Sequence, residues 1–239
     1  METTPAIVFR TLKYSDTSLI VKLYTRSFGL ISCMVRGARR KNAPVGTALL
    51  QPMNLLEVVV SHRQNKSFQT LREARILNHY RSIGTDVRKN ALMLFINELL
   101  NMVIREEEPN PPLFGFLYDQ LIELDETEKT SLFHLRMLTG LMRFLGFFPL
   151  ANRSTVNCRF DMREGRFTQI TGPEEEILDE ETSRWLSYLI EPDGYPALLS
   201  GVTPRIRDQL LDALLRYYRM HLPGMHELKS LPVLKSLFS

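Results

Sequence analysis

The sequence predicts an α+β protein in which a small five-stranded β-barrel precedes an α-helical domain. Two observations support this prediction. Apolar and polar residues alternate in much of the first 80 positions, whereas apolar residues recur at steps of three and four after Gly84. The first spacing is typical of strands and the second of amphipathic helices. We therefore expect one domain over residues 1–80 and a second over residues 81–239.

Five segments of the first domain have strand character. Residues 19–24 and 31–36 alternate clearly, and Ser27, Phe28 and Gly29 between them predict a short hairpin turn. The remaining strands are predicted over residues 6–14, 55–61 and 68–77. Five short strands in a small basic module suggest a closed barrel, and the commonest nucleic-acid-binding barrel of this kind is the OB-fold. The pattern alone does not separate an OB-fold from an SH3-like barrel.

Helical periodicity dominates the second domain. An apolar stripe from Leu92 to Val103 predicts a helix that starts near residue 85 and ends in the acidic stretch 106–108. Prolines at 111 and 112 predict the start of a second helix, and Gly146 the end of a third. The second helix is expected over residues 111–124, the third over the apolar positions 135–145 before Gly146, and the fourth and fifth over residues 179–190 and 204–222, with a tail from Gly224. Residues 151–177 form an irregular insertion with a hairpin about Glu164 and Gly165.

The charge is distributed unevenly. Residues 1–80 contain twelve Lys/Arg and four Asp/Glu, a net charge of +8, whereas the whole chain carries +3. The rest of the chain therefore carries −5. Such asymmetry is expected when one module faces phosphates and the other does not. On charge alone, a solvated surface explains it equally well.

The loop over residues 37–46 concentrates the cations. It is bounded by glycines and carries three consecutive cations, with one more just before it: Arg36, Arg39, Arg40 and Lys41. Proteins hold single-stranded nucleic acid with cations along the phosphates and with aromatic faces on which bases stack. We favour phosphate contact over solvation for these cations because they lie in a loop of a barrel-like module.

Three aromatic side chains of the first domain offer faces for stacking: Tyr14, Tyr24 and Phe28. An aromatic side chain in a small barrel is more often part of the core. We therefore expect all three in the core.

The motifs of common enzyme classes and metal sites are missing. The sequence contains no GxSxG, GxxxxGK[ST], GxGxxG or HExxH motif. Consecutive carboxylates at 106–108 and 174–176 would point to different sides of a helix, so a magnesium site is not expected. A zinc site needs about four ligands, whereas Cys33 and Cys158 are the two cysteines of the chain. We expect no enzymatic activity, cofactor, metal or disulfide.

Two further features favour a cytoplasmic protein without a membrane partner. No apolar run approaches the roughly 18 residues that cross a bilayer. The first residues also lack the basic-then-apolar order of a signal peptide.

Several short stretches resemble the RecO family of bacterial recombination mediators. Their order and spacing match throughout the first domain, at residues 15–19 (Ser-Asp-Thr-Ser-Leu), 25–29, 35–41 (Val-Arg-Gly-Ala-Arg-Arg-Lys), 50–52 (Leu-Gln-Pro) and 71–73 (Leu-Arg-Glu). Further matches in the second domain are residues 95–100 (Phe-Ile-Asn-Glu-Leu-Leu), Arg136 with 145–147, and 228–230 (Leu-Lys-Ser). The resemblance covers nearly the whole chain, is dense to about residue 105 and is thin between 150 and 225.

This resemblance implies an OB-fold followed by a helical domain. It implies binding of single-stranded DNA, with duplex DNA left open, and annealing of complementary strands. The implied partners are RecR and single-stranded DNA-binding protein, which together with this protein load RecA onto gaps, so the protein is expected on the nucleoid.

The same resemblance places the DNA contacts at Arg36, Arg39, Arg40 and Lys41. The other cations of the expected DNA-binding surface are Arg10, Lys13, Lys22, Arg26, Arg63 and Lys66. Arg136 would lie near the pocket for the tail of single-stranded DNA-binding protein, and Arg143, seven residues on, shares its helical face.

The chain departs from the family at one place. Many relatives bind zinc through two CxxC pairs after the third helix, but only Cys158 is present here. We therefore expect a degenerate zinc-finger-like hairpin, residues 160–167, without metal. Two alternatives stay open: an OB-fold adaptor for RNA or another polyanion, and a divergent metal-dependent nuclease.

Overall fold

The computed structural model describes residues 1–40, 43–63, 66–105, 107–170, 172–173, 176–191 and 201–238. The chain forms two compact units, Met1–Thr127 and Glu128–Ser239. The first two helices thus belong to the same compact unit as the strands that precede them. The domain boundary expected after residue 80 stays a prediction.

A closed barrel forms the first part of unit 1. Its strands are β1 (Glu2–Lys13), β2 (Leu19–Thr25), β3 (Gly29–Val35), β4 (Leu55–Ser61) and β5 (Gln69–Asn78). The order around the barrel is β1-β2-β3-β5-β4, and pairing of β1 with β4 closes it. Only the β3–β5 pairing is parallel among these strands. A closed five-stranded barrel followed by helices confirms the predicted α+β class and the OB-fold.

The barrel interior is apolar because alternate residues of each strand point inward. Val21 and Leu23 of β2 and Ile31 and Cys33 of β3 are buried in this core. Burial raises the pKa of the Cys33 thiol to about 12. This thiol is therefore protonated and unreactive at neutral pH.

Helices α1 (Val87–Val103) and α2 (Pro111–Glu126) complete unit 1. Each starts where the sequence supplies a cap: the Asp86 side chain accepts from the Arg88 and Lys89 N–H groups, and Asn110 caps α2. The ring of Tyr24 on β2 stacks on Phe114 of α2, with centroids 6.2 Å apart. Helix α2 therefore covers the outer face of β2 at this position.

The β2–β3 turn packs against the connection between α1 and α2. Gly29 has φ of +64°, and a Cβ at this position would collide with the carbonyl oxygen of Glu108. The position therefore requires glycine for both its backbone conformation and its close approach.

Unit 2 contains a small hairpin among helices. Its elements are α3 (Phe133–Leu145), β6 (Arg159–Asp161), β7 (Arg166–Thr168), α4 (Glu180–Ile190), α5 (Pro204–His221) and α6 (Leu231–Phe238). Gly146, with φ of +82°, ends α3 as expected. Helix α6 lies in the region expected to be a tail, and its side chains Leu234 and Phe238 are buried. Among the residues with assigned structure, no helix is long and apolar enough to cross a bilayer.

The β6–β7 hairpin is supported by aromatic packing. Phe160 of β6 contacts Phe167 of β7 and Tyr217 of α5, with ring centroids 5.2 and 5.5 Å apart. The Tyr217 hydroxyl donates to the Phe147 carbonyl (2.9 Å), and an imidazole nitrogen of His221 lies 2.9 Å from the Met162 carbonyl oxygen. The hairpin is present as predicted, while its relation to a zinc finger stays a prediction.

The negative charge of the chain lies in the helical part of unit 1. Residues 81–127 contain four Lys/Arg and nine Asp/Glu, whereas residues 128–239 contain fourteen of each. Unit 1 therefore joins a basic barrel to acidic helices. A basic surface on this unit must come from the local placement of barrel cations, because the unit as a whole carries only +3.

Candidate nucleic-acid interface

Three apolar side chains form a row on the outer face of the barrel. Leu12 of β1 lies opposite Ile20 of β2, Ile20 lies opposite Met34 of β3, and Met34 pairs with Thr70 of β5. Their neighbour Val21 is buried in the core, so the row points outward. Leu12 is 43% exposed, and Ile20 and Met34 are half-buried. Leu12, Ile20 and Met34 are named the apolar row below.

Two cations face each other on one side of the apolar row. Arg10 of β1 lies directly opposite Lys22 of β2, which in turn lies opposite Ser32 of β3. Both cations are exposed. No carboxylate of the described ranges lies within ion-pairing distance of either one. Like charges directly opposite each other in a ladder repel, and a bound anion would remove that repulsion.

Another cation lies on the other side of the row. Arg36 follows Met34 by two residues, so it has the same outward direction, and it is exposed. Lys13 at the end of β1 is exposed, but it pairs with the buried Leu19 and therefore does not share this outward direction; it lies 3.4 Å from the fully exposed Asp16 carboxylate. Such an exposed ion pair is weak and exchanges readily with other anions. The apolar row is thus flanked by cations on both sides.

The 37–46 loop is anchored on the β1–β2 loop. The Arg39 guanidinium donates to the Asp16 carbonyl oxygen (3.1 Å), and the Arg39 N–H donates to the Thr17 carbonyl oxygen (3.4 Å). Arg40 is exposed, and its N–H donates to the Gly37 carbonyl oxygen (3.0 Å). Both arginines are exposed, but the Arg39 side chain hydrogen-bonds to the β1–β2 loop and so positions the 37–46 loop. Lys41 lies outside the described residues.

The β4–β5 loop is organised by one buried amide. The Gln69 side chain accepts from the Arg63 N–H (2.7 Å) and donates to the carbonyl oxygens of Arg63 (3.0 Å) and Lys66 (2.9 Å). Gln69 itself is only 6% exposed. It sets the backbone of this loop while the side chains of Arg63 and Lys66 are exposed.

The β2–β3 turn carries the last of the predicted cations. Arg26 is exposed, and its N–H donates to the Pro5 carbonyl oxygen (3.1 Å). Two residues further along the chain, Phe28 stacks on His62 with centroids 4.4 Å apart and rings 14° from parallel. Because His62 precedes Arg63, the stack links this turn to the β4–β5 loop. The predicted cations therefore divide into one set about the apolar row and another about this turn and loop.

The expectation for the aromatic side chains was correct for Tyr24 and wrong for Tyr14. Tyr24 is buried and stacks between Phe9 and Phe114, whereas Tyr14 is 59% exposed. Phe28 is half-buried. Tyr14 lies past the last inward-facing position of β1, so the barrel core does not enclose it.

Phe68 is a candidate site residue that the sequence analysis missed. It is 41% exposed and precedes Thr70 by two residues, which gives it the outward direction of the apolar row. Its neighbours Gln69 and Leu71 are buried, so they are the inward positions of this segment. Alternation along the strand therefore identifies Phe68 as an outward position.

A buried polar cluster in unit 1 was also missed. The Asp125 carboxylate, in a residue 6% exposed, accepts hydrogen bonds from the N–H groups of Arg81 (2.8 Å), Ser82 (2.9 Å) and Ile83 (3.0 Å). The Lys89 ammonium donates to the Ser82 hydroxyl and the Asp125 carbonyl, both at 2.7 Å. Burial raises the pKa of Asp125, but these N–H groups lower it by more, so the carboxylate stays ionised. The cluster fixes α1 and α2 to the segment that follows β5.

The sequence matches two family models, one for each part of the chain. Residues 1–80 match the family model described as Recombination protein O N terminal, and residues 84–232 match Recombination protein O C terminal. The chain belongs to the RecO family. The DNA repair protein RecO of Bacteroides fragilis is 38% identical over 100% of this chain and 99% of that relative. The RecO proteins of Phocaeicola vulgatus (34%, over all of both chains) and Flavobacterium johnsoniae (35%, 99% and 98%) are similarly close.

Membership of the RecO family makes this chain a DNA repair protein of the recombination class. The two arginines that were expected to contact a partner protein lie on α3. Arg136 is half-buried with its guanidinium 5.9 Å from the Phe133 ring centroid, and Arg143 is exposed over the Phe148 ring at 4.0 Å. Each cation therefore rests on an aromatic face of unit 2. Their contact with a partner protein stays a prediction.

The hairpin expected to resemble a zinc finger has one cysteine nearby. Cys158 is half-buried and free. The described ranges contain no group of three His, Cys, Asp or Glu side chains that could hold a metal ion. Glu106, Glu174 and Glu175 of the two acidic stretches lie outside those ranges.

Proposed function

We propose that this protein is a recombination mediator that binds single-stranded DNA on the outer face of its barrel without catalysing a reaction. The exposed cross-strand pair of Arg10 and Lys22 is the observation that carries the proposal. Two cations held in register, with no carboxylate partner in the part of the chain that the structure describes, suit a polymer whose phosphates repeat along its length. Binding would release counterions from the DNA and be strongly salt dependent.

Annealing follows from the same surface. A protein that neutralises phosphates on an open face lowers the repulsion between two complementary strands while leaving the bases of each strand accessible. We propose that it also acts with RecR to load RecA onto gaps covered by single-stranded DNA-binding protein, in the cytoplasm and on the nucleoid. Family membership supports these roles.

The proposal is tested by binding and annealing with the full-length chain. Arg36→Ala with Arg40→Ala removes two exposed cations and leaves Arg39, which anchors the loop, in place. We expect weaker binding to all sequences alike and a salt slope lower by roughly two. A wild-type protein that binds no oligonucleotide in dilute salt, or that prefers structured RNA to single-stranded DNA in competition, would overturn the proposal.

A second part of the proposal concerns α3. We infer that Arg136 and Arg143 contribute to a docking site for the tail of single-stranded DNA-binding protein. A peptide of that tail should bind the wild type and lose affinity when Arg136 is changed to Ala. Unchanged peptide affinity in both Arg136→Ala and Arg143→Ala would remove α3 from this interface.

A further inference from the structure

We propose that the apolar row is a platform for unpaired bases, with Tyr14 and Phe68 stacking bases at its two ends. This inference rests on the proposed binding of single-stranded DNA and specifies what the barrel face recognises. The flanking cations can contact phosphates of any nucleic acid. The row would add selectivity for strands whose bases are free.

The strand register sets the dimensions of the platform. Leu12, Ile20, Met34 and Thr70 lie on four neighbouring strands in one transverse line. With neighbouring strands about 4.8 Å apart, the line spans roughly 14 Å. A bound strand would cross the β-strands along this line and place a few bases on it.

The two exposed aromatic side chains lie at opposite corners of the same face. Strands β1 and β5 both run parallel to β3. Tyr14 follows Leu12 by two residues, whereas Phe68 precedes Thr70 by two, so they leave the transverse line in opposite directions. Tyr14 is 59% exposed and Phe68 is 41% exposed. Bases of any sequence can stack on such a face, because every base has a π surface.

The charges about the row favour nucleic acid over a protein as its occupant. Exposed apolar side chains alone would suit a protein surface equally well. Here the row lies between Arg10 with Lys22 on one side and Arg36 on the other. A single strand presents phosphates and bases side by side, which matches cations beside an apolar surface. A duplex keeps its bases stacked inside and would contact only the cations.

The platform ends where α2 covers the barrel. Two residues after Lys22, Tyr24 points to the same outer face but is buried beneath Phe114. Ile20 and Lys22 are therefore the outward positions of β2 that a ligand can reach. This limits the platform to a short site, which suits recognition of gaps and frayed ends as well as long strands.

Two oligomers of equal length and charge test the inference with the full-length protein. One is oligothymidylate and the other is a sugar–phosphate oligomer without bases. We expect the wild type to bind oligothymidylate at least about tenfold more tightly. Ile20→Ser with Met34→Ser should lower oligothymidylate binding toward that of the abasic oligomer, with the remaining difference due to Tyr14 and Phe68, while abasic binding and the salt slope stay unchanged. Met34→Leu keeps the apolar surface and should behave as wild type.

The outcomes separate this inference from the proposed function. Equal binding of both oligomers by the wild type would overturn the platform and leave phosphate binding in place. Failure to bind either oligomer in dilute salt would overturn the proposed function itself.

Thermal unfolding shows whether the double variant is folded, and a Tyr14→Trp reporter in a Trp185→Phe background gives an independent readout. Its fluorescence should be quenched by oligothymidylate and not by the abasic oligomer; quenching by neither would remove Tyr14 from the platform.

Discussion

Arg10 and Lys22 lie directly opposite each other in the β1–β2 ladder, and both side chains are exposed. A direct cross-strand pair of like charges destabilises a sheet by roughly 0.2–1 kcal/mol. Nine of the thirteen acidic residues of the same unit lie in residues 81–127, and no described acidic residue of the unit forms an ion pair with Arg10 or Lys22. The barrel therefore carries a repulsion that a bound polyanion would relieve.

Removing this pair should weaken DNA binding without weakening the fold. In Arg10→Ala with Lys22→Ala, we expect the salt slope for single-stranded DNA to fall by about two. The free energy of unfolding should stay unchanged or rise by a few tenths of a kcal/mol, because the repulsion is gone. Salt titrations and urea unfolding measure the two effects.

Arg75→Ala is the matched control for the charge pair. Arg75 is an exposed cation of β5 whose guanidinium donates to the Glu57 carboxylate of β4 at 2.7 Å. Because this charge is already compensated, its removal should leave the salt slope nearly unchanged. An equal fall in slope for Arg75→Ala would show that only net charge matters and that the β1–β2 pair has no special role.

The Gly29 turn provides a stability prediction for unit 1. Gly29→Ala should destabilise the unit by several kcal/mol, since the added Cβ collides with the Glu108 backbone and φ is positive. Gly115→Ala in α2 has no atom within 4 Å of the new Cβ and should be neutral or stabilise by about 0.5–1 kcal/mol. Urea unfolding of both variants checks this contrast. Similar values for the two substitutions would contradict the close approach of the turn.

The buried Asp125 carboxylate should matter far more than its exposed neighbours on α2. Asp125→Asn replaces a charged acceptor of three backbone N–H groups with a neutral amide, so we expect a loss of about 2–4 kcal/mol. The same change at exposed Asp119 should cost less than about 0.5 kcal/mol. The comparison is made by chemical denaturation at neutral pH. A small effect at Asp125 would mean that water replaces the carboxylate readily.

The hairpin of unit 2 should be independent of zinc. Its described contacts include aromatic packing, hydrogen bonds between the Asn152 side chain and the Phe167 backbone, and the Arg163–Glu176 ion pair, and Cys158 is the one cysteine of the region. Elemental analysis should find no stoichiometric zinc, and a chelator should leave the melting temperature unchanged. Phe160→Ala should instead lower the free energy of unfolding by about 3–5 kcal/mol, because Phe160 is buried, with 1% of its surface exposed. One zinc per chain would overturn this account.

Sequence periodicity located most elements of the barrel because each strand has one buried face. The starts of β4 and β2 were predicted to the residue, whereas β1 begins at Glu2, four residues before the predicted start. The discrepancy arises from Pro5, which disfavours a strand assignment although proline is tolerated in edge or terminal positions. Helix α6 was missed because eight residues give too few turns for a periodic pattern.

The site was harder to predict than the fold. Alternation shows on which face of a strand a residue lies, but it does not show which other element covers that face. Tyr14 and Tyr24 both face outward from the barrel, yet α2 buries one and leaves the other exposed. The opposition of Arg10 and Lys22 depends on the bulge after Val8, which shifts the register of β1. Neither the bulge nor the helix placement follows from residue spacing.

Unit 2 should lose stability in acid through His134. Burial, with the positive charge of Arg207, lowers the pKa of His134 from 6.5 to about 3. Below pH 6.5 the unfolded chain therefore takes up a proton that the folded state does not. The stability that the neutral imidazole contributes at neutral pH is lost as the pH falls toward about 3, by up to roughly 1.4 kcal/mol per pH unit.

His134→Leu isolates this contribution. The variant has no imidazole to protonate in either state, so its unfolding free energy should fall less steeply than that of the wild type between pH 6.5 and pH 4. His226→Gln removes an exposed imidazole and should keep the wild-type slope. Equal slopes for wild type and His134→Leu would mean that the folded protein protonates His134 as easily as the unfolded chain does. In that case unit 2 must open around α3 at mildly acidic pH, because a charged imidazole cannot stay buried beside Arg207.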